Sequence, residues 1–494
     1  ILYLQKNSFF VVEIKKTDFC MTSFNFKKWN TILGWFAFIV ALFTYSLTVE
    51  PTLSFWDCGE YIATSANLEV GHPPGAPLFQ MLGAFFAMFA VSADKIALMV
   101  NYLSVFSSAF TVLFMFWSLT LLLKKLAGTS KEISTNQNLL ILGSSLIASL
   151  SFTFSDSFWY NAVEAEVYAM ASFLIALLFW LGLRWEQELE TPRGNKWLLI
   201  ISLVIGLSFG VHFMALLTFP AIGFLYFFKK YKNVTVKSFL LANVVIVAIL
   251  LFIFKLLLPF TLGFFGKTEI FMVNELGLPF NSGTIFAFLL IVAVFYFGLN
   301  YTKKKGHIFY NTLILSTLFI LIGFSTWLML PIRANANTPI NENKPSDAAE
   351  VLAYYNREQY GEQKLFYGPQ FSDAYSGLDS ITPYLDDKPN YERDYKSGTY
   401  IITNNFKNAK QNTDDAHKAF LPRMWSNEHN VNYMTFGEPL EFQINPEYAH
   451  EDELVQLVTE FRKGFASGEI DLKGYDKFLN TYGEYLIVEK PSFA

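Results

Sequence analysis

The chain has 494 residues, of which 53% are hydrophobic and only 16% charged. This balance excludes an ordinary soluble globular protein. The net charge of −5 hides an asymmetry: from residue 333 onward, 16 Lys and Arg face 26 Asp and Glu, a net −10, which leaves +5 for the preceding residues. A basic apolar part followed by an acidic polar part also excludes a nucleic-acid-binding module, which needs a basic patch on a soluble domain.

The apolar residues are concentrated before residue 333. A helix needs about 20 apolar residues to cross the hydrocarbon core of a bilayer. Nine segments come close to this requirement: 30–49, 97–123, 138–155, 167–184, 196–211, 213–229, 237–259, 281–300 and 308–331. The apolar segment 76–92 follows Pro73 and Pro74 and is shorter, so we expect a helix that lies at the membrane interface. The sequence therefore predicts an all-α polytopic membrane protein with about nine transmembrane helices.

This prediction divides the chain into three parts. Residues 1–28 form a cytoplasmic N-terminal segment, of which residues 1–20 are expected not to be native because Met21 fits a start. Residues 29–332 form the transmembrane domain, with a first outer loop at 50–96. Residues 333–494 form a soluble region of mixed α and β structure.

The distribution of Lys and Arg predicts the orientation, because cytoplasmic loops of membrane proteins are enriched in both residues. With the N-terminus inside, each inner loop of the nine-span arrangement carries a basic cluster: 15–28, 124–131, 184–196, 229–237 and 303–305. The outer loops before residue 333 hold only Lys95, Lys255 and Lys267. We therefore expect the acidic first loop and the C-terminal region to lie outside.

The segment 54–79 directly follows the first apolar span and carries three carboxylates but no Lys or Arg. Asp57 and Glu60 share a face if this segment is helical, since residues three apart are neighbours on a helix. One carboxylate can then remove a proton from an attacking hydroxyl while the other holds the acceptor, so both are predicted to be catalytic. The alternative is structural, because Ser54 and Asp57 fit a capping box.

Five further residues are predicted to bind substrate at the same face. They are His72 before a Pro-Pro-Gly turn, Glu164 and Glu166 between the third and fourth spans, His212 after the fifth span and Arg333 after the ninth. The carboxylates can orient an acceptor, and a guanidinium suits a phosphate. The alternatives are a tight turn for His72, a solvated loop edge for the carboxylates, a local hydrogen bond for His212 and snorkelling for Arg333. Because no Asp-x-Asp pair is present here, a metal site is not expected.

The soluble region begins with the turn-rich sequence PIRANANTPINENKPSD. Ser346 or Asp347 is expected to cap a helix that runs through Tyr355. Segments 399–404 and 430–444 have strand-like patterns, and segments 451–465 and 472–482 are predicted to be helices. The sequence lacks a Gly-x-x-x-x-Gly-Lys-Ser/Thr loop, a dinucleotide fingerprint, His-Glu-x-x-His and Cys-x-x-Cys, which argues against nucleotide-driven pumping, hydride transfer and zinc proteolysis.

Four sequence motifs carry a family resemblance: SFWDCGEYIATS, LEVGHPPGAPLF, NAVEAEVYA and PIRANANTPINENKPSD followed by YYNREQYGE. They resemble bacterial members of glycosyltransferase family 117, which is similar to protein O-mannosyltransferases, over roughly residues 30–440. The resemblance implies a GT-C-like bundle whose donor sugar is carried by a polyprenyl phosphate. By this analogy Asp57 is the catalytic carboxylate of the first outer loop, with Glu60 beside it. Family members continue further, so we expect an N-terminal portion of a longer protein.

Together these observations predict a multi-pass glycosyltransferase of the bacterial inner membrane with a periplasmic active site. It is expected to transfer mannose or a similar sugar, with inversion, from a polyprenyl-phosphate carrier to a Ser or Thr hydroxyl of an exported protein. Its expected partners are the polyprenyl-phosphate sugar, the acceptor and the bilayer, without nucleic acid, cofactor or metal. The main alternative is a lipid or sugar transporter or flippase, against which the scarcity of acidic residues in the spans argues. A third is a scaffold that only anchors the acidic region.

Overall fold

A computed structural model describes residues 24–128, 133–191, 193–361, 364–375, 378–379 and 381–491. Most of the predicted N-terminal segment, including the residues expected not to be native, lies outside the described residues. The chain divides into two compact units, residues 1–262 with 290–351 and residues 263–289 with 352–494. The boundary predicted at residue 333 rests on composition and stays a prediction.

Helices dominate the apolar part of the chain. In order, they are α1 Phe26–Thr48, α2 Cys58–Asn67, α3 Pro77–Ala87, α4 Ile96–Leu126, α5 Thr135–Thr153, α6 Asp156–Ala162, α7 Val167–Glu188, α8 Gly194–Ser208, α9 Phe219–Lys230, α10 Val236–Leu251, α11 Leu258–Asn274, α12 Ser282–Lys304, α13 Ile308–Phe324 and α14 Met329–Asn335. Short 3-10 turns precede α4, α9 and α14, and a π-helical turn at Phe252–Leu257 joins α10 to α11.

The number of membrane-spanning helices is lower than predicted. Among the described residues, seven helical stretches are long and apolar enough to cross a membrane, and α5 with α6 gives an eighth if this pair, bent by 66°, forms one span. The predicted span that fails this length test is the fifth, 196–211, which corresponds to α8; its 15 residues extend about 23 Å against a hydrocarbon core of about 30 Å. Nine spans are therefore not confirmed, although the multi-pass character is. Helix α3 has only 11 residues, as expected for a helix that does not cross.

The helix predicted at 237–259 is longer than its sequence suggests. The stretch Val236–Asn274 is continuous over 39 residues. Pro259 does not interrupt this stretch, because Pro259 is the second residue of α11, which directly follows the π-helical turn. A missing backbone N–H is tolerated in the first turn of a helix. Two charged residues, Lys267 and Glu269, thus lie on a helix rather than in the predicted loop.

Ion pairs establish which helix ends lie together in the first unit. Glu186 at the end of α7 lies 3.1 Å from Lys125 at the end of α4 and 3.9 Å from Lys229 at the end of α9. At the opposite end, the backbone N–H of Glu50, after α1, donates to the carbonyl of Val163, before α7. This alternation agrees with the charge-based arrangement of the loops, while the side that faces the cytoplasm stays a prediction.

Small residues allow helices of the first unit to approach closely. A Cβ atom on Gly206 of α8 would lie 2.1 Å from the carbonyl oxygen of Ile320 in α13, and one on Gly323 would lie 2.5 Å from the carbonyl oxygen of Leu203. Such contacts between small residues are a common means of packing helices in membranes, where the hydrophobic effect between helices is weak.

The second unit adds short strands to helices. Helices α15 Ala348–Asn356, α16 Asn430–Phe436, α17 Asp452–Ser467 and α18 Leu472–Tyr482 follow the apolar part. Eight short strands form four two-stranded antiparallel sheets. The strands are β1 Tyr367–Pro369, β2 Tyr384–Leu385, β3 Tyr391–Asp394, β4 Thr399–Ile402, β5 Lys410–Gln411, β6 Lys418–Phe420, β7 Phe442–Ile444 and β8 Leu486–Val488. Phe442, Phe461, Phe478 and Leu479 are central to the core that α17, α18 and the β7–β8 pair share.

Most local predictions for this region are confirmed. The predicted helices correspond to α15, α17 and α18, and the strand predicted at 399–404 is β4. The strand predicted at 430–444 is wrong over its first half, which forms α16. Its buried residues, Asn430 and Met434, are four apart, a helical rather than an extended spacing.

Candidate functional site

The acidic segment after α1 forms a helix that begins directly after Asp57. The Asp57 side chain makes no capping hydrogen bond, and Ser54 donates its hydroxyl to Glu164 at 2.5 Å. The capping box considered as the alternative is therefore wrong. The Asp57 carboxylate is instead 57% exposed, at the mouth of a cluster of titratable groups.

Glu60 and His72 form the centre of this cluster. Glu60 accepts a hydrogen bond from the backbone N–H of His72 at 2.6 Å and contacts its Nδ1 at 2.9 Å. The other ring nitrogen, Nε2, lies 3.8 Å from Oδ2 of Asp57. Because Glu60 binds both the backbone and the ring, it fixes the direction in which the imidazole faces Asp57.

These contacts shift the titration of both partners. Burial acts to raise the pKa of Glu60, but the hydrogen bonds from the His72 ring and backbone outweigh it and hold the pKa below its usual range. The hydrogen bond to Glu60 raises the pKa of His72, against the effect of burial, and the charges of Asp57 and Glu342 act in the same direction. The arrangement therefore favours an imidazolium at His72 paired with an ionised Glu60.

Two buried carboxylates border the cluster from the loop before α7. Glu164 accepts from Ser54, and Glu166 lies 3.9 Å from the thiol of Cys58 and accepts from the backbone N–H of Val167. Burial raises the pKa of Glu164. Burial, followed by the charge of Asp57, raises the pKa of Glu166 to about 7. Glu166 is thus poised to carry a proton near neutral pH.

Arg333 lies at the far end of α2. Its guanidinium donates to the backbone carbonyls of Asn67 and Leu68, which are the last carbonyls of that helix and have no partner within it. Arg333 therefore holds α2 in place, and its predicted contact with a phosphate stays a prediction.

The segment after Arg333 reaches the same cluster. Val70 pairs with it in a parallel bridge, donating to the carbonyl of Ile340 at 3.1 Å and accepting from the N–H of Glu342 at 3.0 Å. Burial and the negative charge of Glu60 raise the pKa of Glu342. Glu342 is thus a further carboxylate beside Glu60 and His72.

His212 lies at the turn after α8. Its Nδ1 accepts from the backbone N–H of Met214 at 3.1 Å, which places the proton of the neutral ring on Nε2, and its ring centroid is 5.4 Å from that of Tyr168. Tyr168 and Met214 also line a groove of about 470 Å³ together with Phe152, Ser155, Ser157, Phe158, Asn161 and Ser172. This side of the site offers aromatic faces and hydroxyl groups to a substrate.

Asp57, Glu60 and His72 also satisfy the geometry of a loose metal site. One ligand atom from each lies within 4.8 Å of the others. An imidazolium has no lone pair for a metal, so protonation of His72 and binding of a divalent cation exclude each other. The expectation that no metal is needed stays a prediction.

Sequence reasoning missed four residues of this site. Ser54, Cys58 and Tyr61, whose ring lies 5.8 Å from that of His72, flank the predicted carboxylates and follow from their neighbourhood once α2 is placed. Glu342 carries only a weak signal, an acidic residue in the turn-rich sequence after the last span.

The N-terminal portion of the chain is similar to O-mannosyltransferases. Residues 57–235 match the sequence model described as the protein O-mannosyl-transferase TMEM260 N-terminal domain, and residues 361–494 match a family of unknown function, DUF8416. Protein O-mannosyl-transferase tmem260 of Dictyostelium discoideum is 26% identical over 195 residues, which are 37% of this chain and 22% of that protein. Protein O-mannosyl-transferase TMEM260 of Mus musculus is 28% identical over 173 residues, 35% of this chain and 22% of that protein. No solved structure matches. The match thus spans about a fifth of these relatives.

Proposed function

We propose that the O-mannosyltransferase-like portion of this chain is the catalytic part of a membrane glycosyltransferase. It transfers mannose or a similar hexose from a polyprenyl-phosphate carrier to a Ser or Thr hydroxyl of an exported protein. The observation that supports this most directly is the exposed Asp57 beside the Glu60–His72 pair. This group lies inside the segment that resembles the mannosyltransferase domain.

Asp57 is the proposed general base. It accepts the proton of the acceptor hydroxyl while the hydroxyl oxygen forms a bond to the anomeric carbon. The bond from that carbon to the phosphate oxygen breaks, and its electron pair leaves with the polyprenyl phosphate. A single displacement of this kind inverts the anomeric configuration, and nearby carboxylates stabilise the oxocarbenium character of the transition state.

His72 and Glu60 are proposed to position the base. The Nε2 of His72 lies 3.8 Å from Oδ2 of Asp57, close enough for the ring to orient that carboxylate. Glu60 holds the ring through two contacts, so the ring stays directed at Asp57. A well-placed general base contributes about 10²- to 10⁴-fold in rate.

The leaving phosphate requires positive charge more than protonation. The Arg333 guanidinium is proposed to supply this charge, and His212 is proposed as a hydrogen-bond donor to the same phosphate. A guanidinium has five N–H donors in a planar fork, and Arg333 uses two of its nitrogens for α2, so the remainder of the fork can contact a phosphate oxygen. His212 carries the proton of its neutral ring on Nε2, because its Nδ1 accepts from Met214.

The proposed site opens on the membrane face opposite the cytoplasm, which is the periplasmic face in a bacterium. The charge distribution of the loops supports this side. An acceptor protein and a lipid-linked sugar meet there without either crossing the bilayer again.

The experiment that tests this function is Asp57→Asn in the full chain, purified and reconstituted with a polyprenyl-phosphate mannose and a Ser/Thr peptide. We expect transfer to fall by about 10²-fold or more. The thermal unfolding temperature should not change, because this side chain caps no helix. Asp94→Asn is the matched control, an exposed carboxylate whose partners are Ser92 and Lys95, and should keep full activity. Undiminished transfer by Asp57→Asn would remove the proposed base, and lipid translocation without transfer would favour the transporter.

A further inference from the structure

The loop between α1 and α2 presents three apolar side chains to its surroundings. Leu53, Phe55 and Trp56 are 64%, 80% and 88% exposed. All three lie within four residues of Asp57. Single exposed apolar residues are normal on protein surfaces, whereas a contiguous group marks a contact with another apolar partner.

Hydrogen bonds hold the loop that carries these exposed side chains in one conformation. The buried side chain of Asn101 donates to the carbonyls of Glu50 at 2.7 Å and Thr52 at 2.9 Å. Ser54 is bound to Glu164. The backbone is therefore held on both sides of Leu53, and the apolar side chains face outward because the loop directs them there.

The backbone of Trp56 adds a second observation. Its φ is 61°, in the left-handed region that a bulky residue rarely occupies because Cβ approaches the carbonyl oxygen. In water, both this strain and the exposed indole disfavour the conformation. An apolar environment for the indole offsets these costs.

We propose that Leu53, Phe55 and Trp56 insert into the interfacial region of the lipid bilayer and hold Asp57 at the depth of a lipid-linked sugar. The loop begins within five residues of Thr48, the last residue of the spanning helix α1. Aromatic residues, Trp above all, favour the membrane interface at the ends of spans. The outward residues Ile39, Phe43 and Leu47 of α1 are also exposed and apolar, so the loop follows a lipid-facing helix directly.

The charge of the loop that carries Phe55 and Trp56 argues against a preference for anionic lipids. The segment 54–79 contains no Lys or Arg, so insertion depends on apolar contact and should be insensitive to salt. The inference rests on the proposed function only in taking the donor to be lipid-linked.

The first experiment measures insertion without requiring activity. The full chain is reconstituted in phosphatidylcholine vesicles with or without brominated acyl chains, and Trp fluorescence of the wild type is compared with that of Trp56→Phe. This variant keeps an aromatic ring and removes one of the 10 indoles, so the difference isolates Trp56. We expect quenching by bromine near the headgroup end of the acyl chain and protection from aqueous iodide at low and high salt. Iodide quenching without bromine quenching would overturn the proposal.

The second experiment measures the consequence for the donor. Replacing Phe55 and Trp56 together with Ser should raise KM for the lipid-linked donor by about tenfold, as expected when two aromatic side chains lose burial. KM for the peptide should stay unchanged, and Trp56→Phe should retain donor binding. Phe436→Ser is the control, because Phe436 of α16 is 91% exposed. A higher KM for the peptide alone would show a protein-binding surface instead. Absence of transfer in the wild type would refute the proposed function and leave the quenching result to decide insertion.

Discussion

Replacing Glu166 with Gln tests whether the start of α7 holds a buried carboxyl group in a negative environment. Glu166 is 6% exposed, and burial followed by the charge of Asp57 raises its pKa from 4.5 to about 7. Glu164 acts in the same direction, whereas the backbone N–H of Val167 and the charge of His72 act against it. The two pKa values differ by about 2.5 pH units, which at about 1.4 kcal/mol per unit corresponds to about 3 kcal/mol of unfolding free energy.

The sign follows from the state that binds the proton more tightly. The pKa is higher in the folded protein, so the stabilisation is fully present below about pH 4.5 and is lost as the pH rises through about 7. Between pH 5 and pH 8 the wild type is therefore expected to lose up to about 3 kcal/mol through this residue. Glu166→Gln is neutral throughout and should lose none of it, so the two stabilities should be similar near pH 5 and diverge as the pH rises, with the variant the more stable protein at pH 8.

The assay is denaturant unfolding of both proteins in the same detergent at four pH values from 5 to 8. Glu190→Gln is the control, since Glu190 is exposed, pairs with Lys230 at 3.1 Å and has a pKa lowered by that partner. It should keep the pH dependence of the wild type. Parallel pH profiles for the wild type and Glu166→Gln would refute the electrostatic account of this loop.

Three further changes test other parts of the site. Arg333→Lys removes the guanidinium that donates to the carbonyls of Asn67 and Leu68. It should lower the unfolding free energy by about 1 to 2 kcal/mol in the same unfolding assay. Unchanged stability would show that these hydrogen bonds contribute little. Gly71→Ala places a Cβ 2.6 Å from Oε1 of Glu60 and should reduce the transfer rate by about tenfold or more. Gly59→Ala is the control, because a Cβ at Gly59 meets nothing within 4 Å. Equal transfer rates for the two variants would contradict this geometry. Transfer should persist in EDTA because protonated His72 cannot ligate a metal; a loss that Mn²⁺ restores would identify the cluster as a metal site.

The sequence carried the broad arrangement of the helices because hydropathy and Lys/Arg placement depend on local composition. It missed the extension of α11, since the predicted span ended at residue 259 and Lys267 was assigned to an outer loop. Glu269 is buried and accepts hydrogen bonds from the backbone N–H groups of Asn281 and Thr284. Such partners exist only once the chain is folded, so no local pattern indicates that this carboxylate is buried.

The residues of the candidate site that are close in sequence could be predicted, whereas those that only folding brings together could not. The sequence allowed us to predict Asp57, Glu60 and His72, because they lie within 16 residues of each other and because a family resemblance indicated Asp57. The structure brings these three together with Glu164 and Glu166, whereas Arg333 contacts the backbone of α2. Glu342 was missed because the bridge between Val70 and Asn341 depends on a pairing that no local pattern specifies.

The contact between Arg333 and the end of α2 joins residues separated by 265 positions. During translation the ribosome therefore completes α1 to α13 before the turn carrying His72 can be fastened. A polypeptide that ends before the segment 333–342 contains Asp57 but lacks the contacts of Arg333 with α2 and the pairing of Asn341 with Val70.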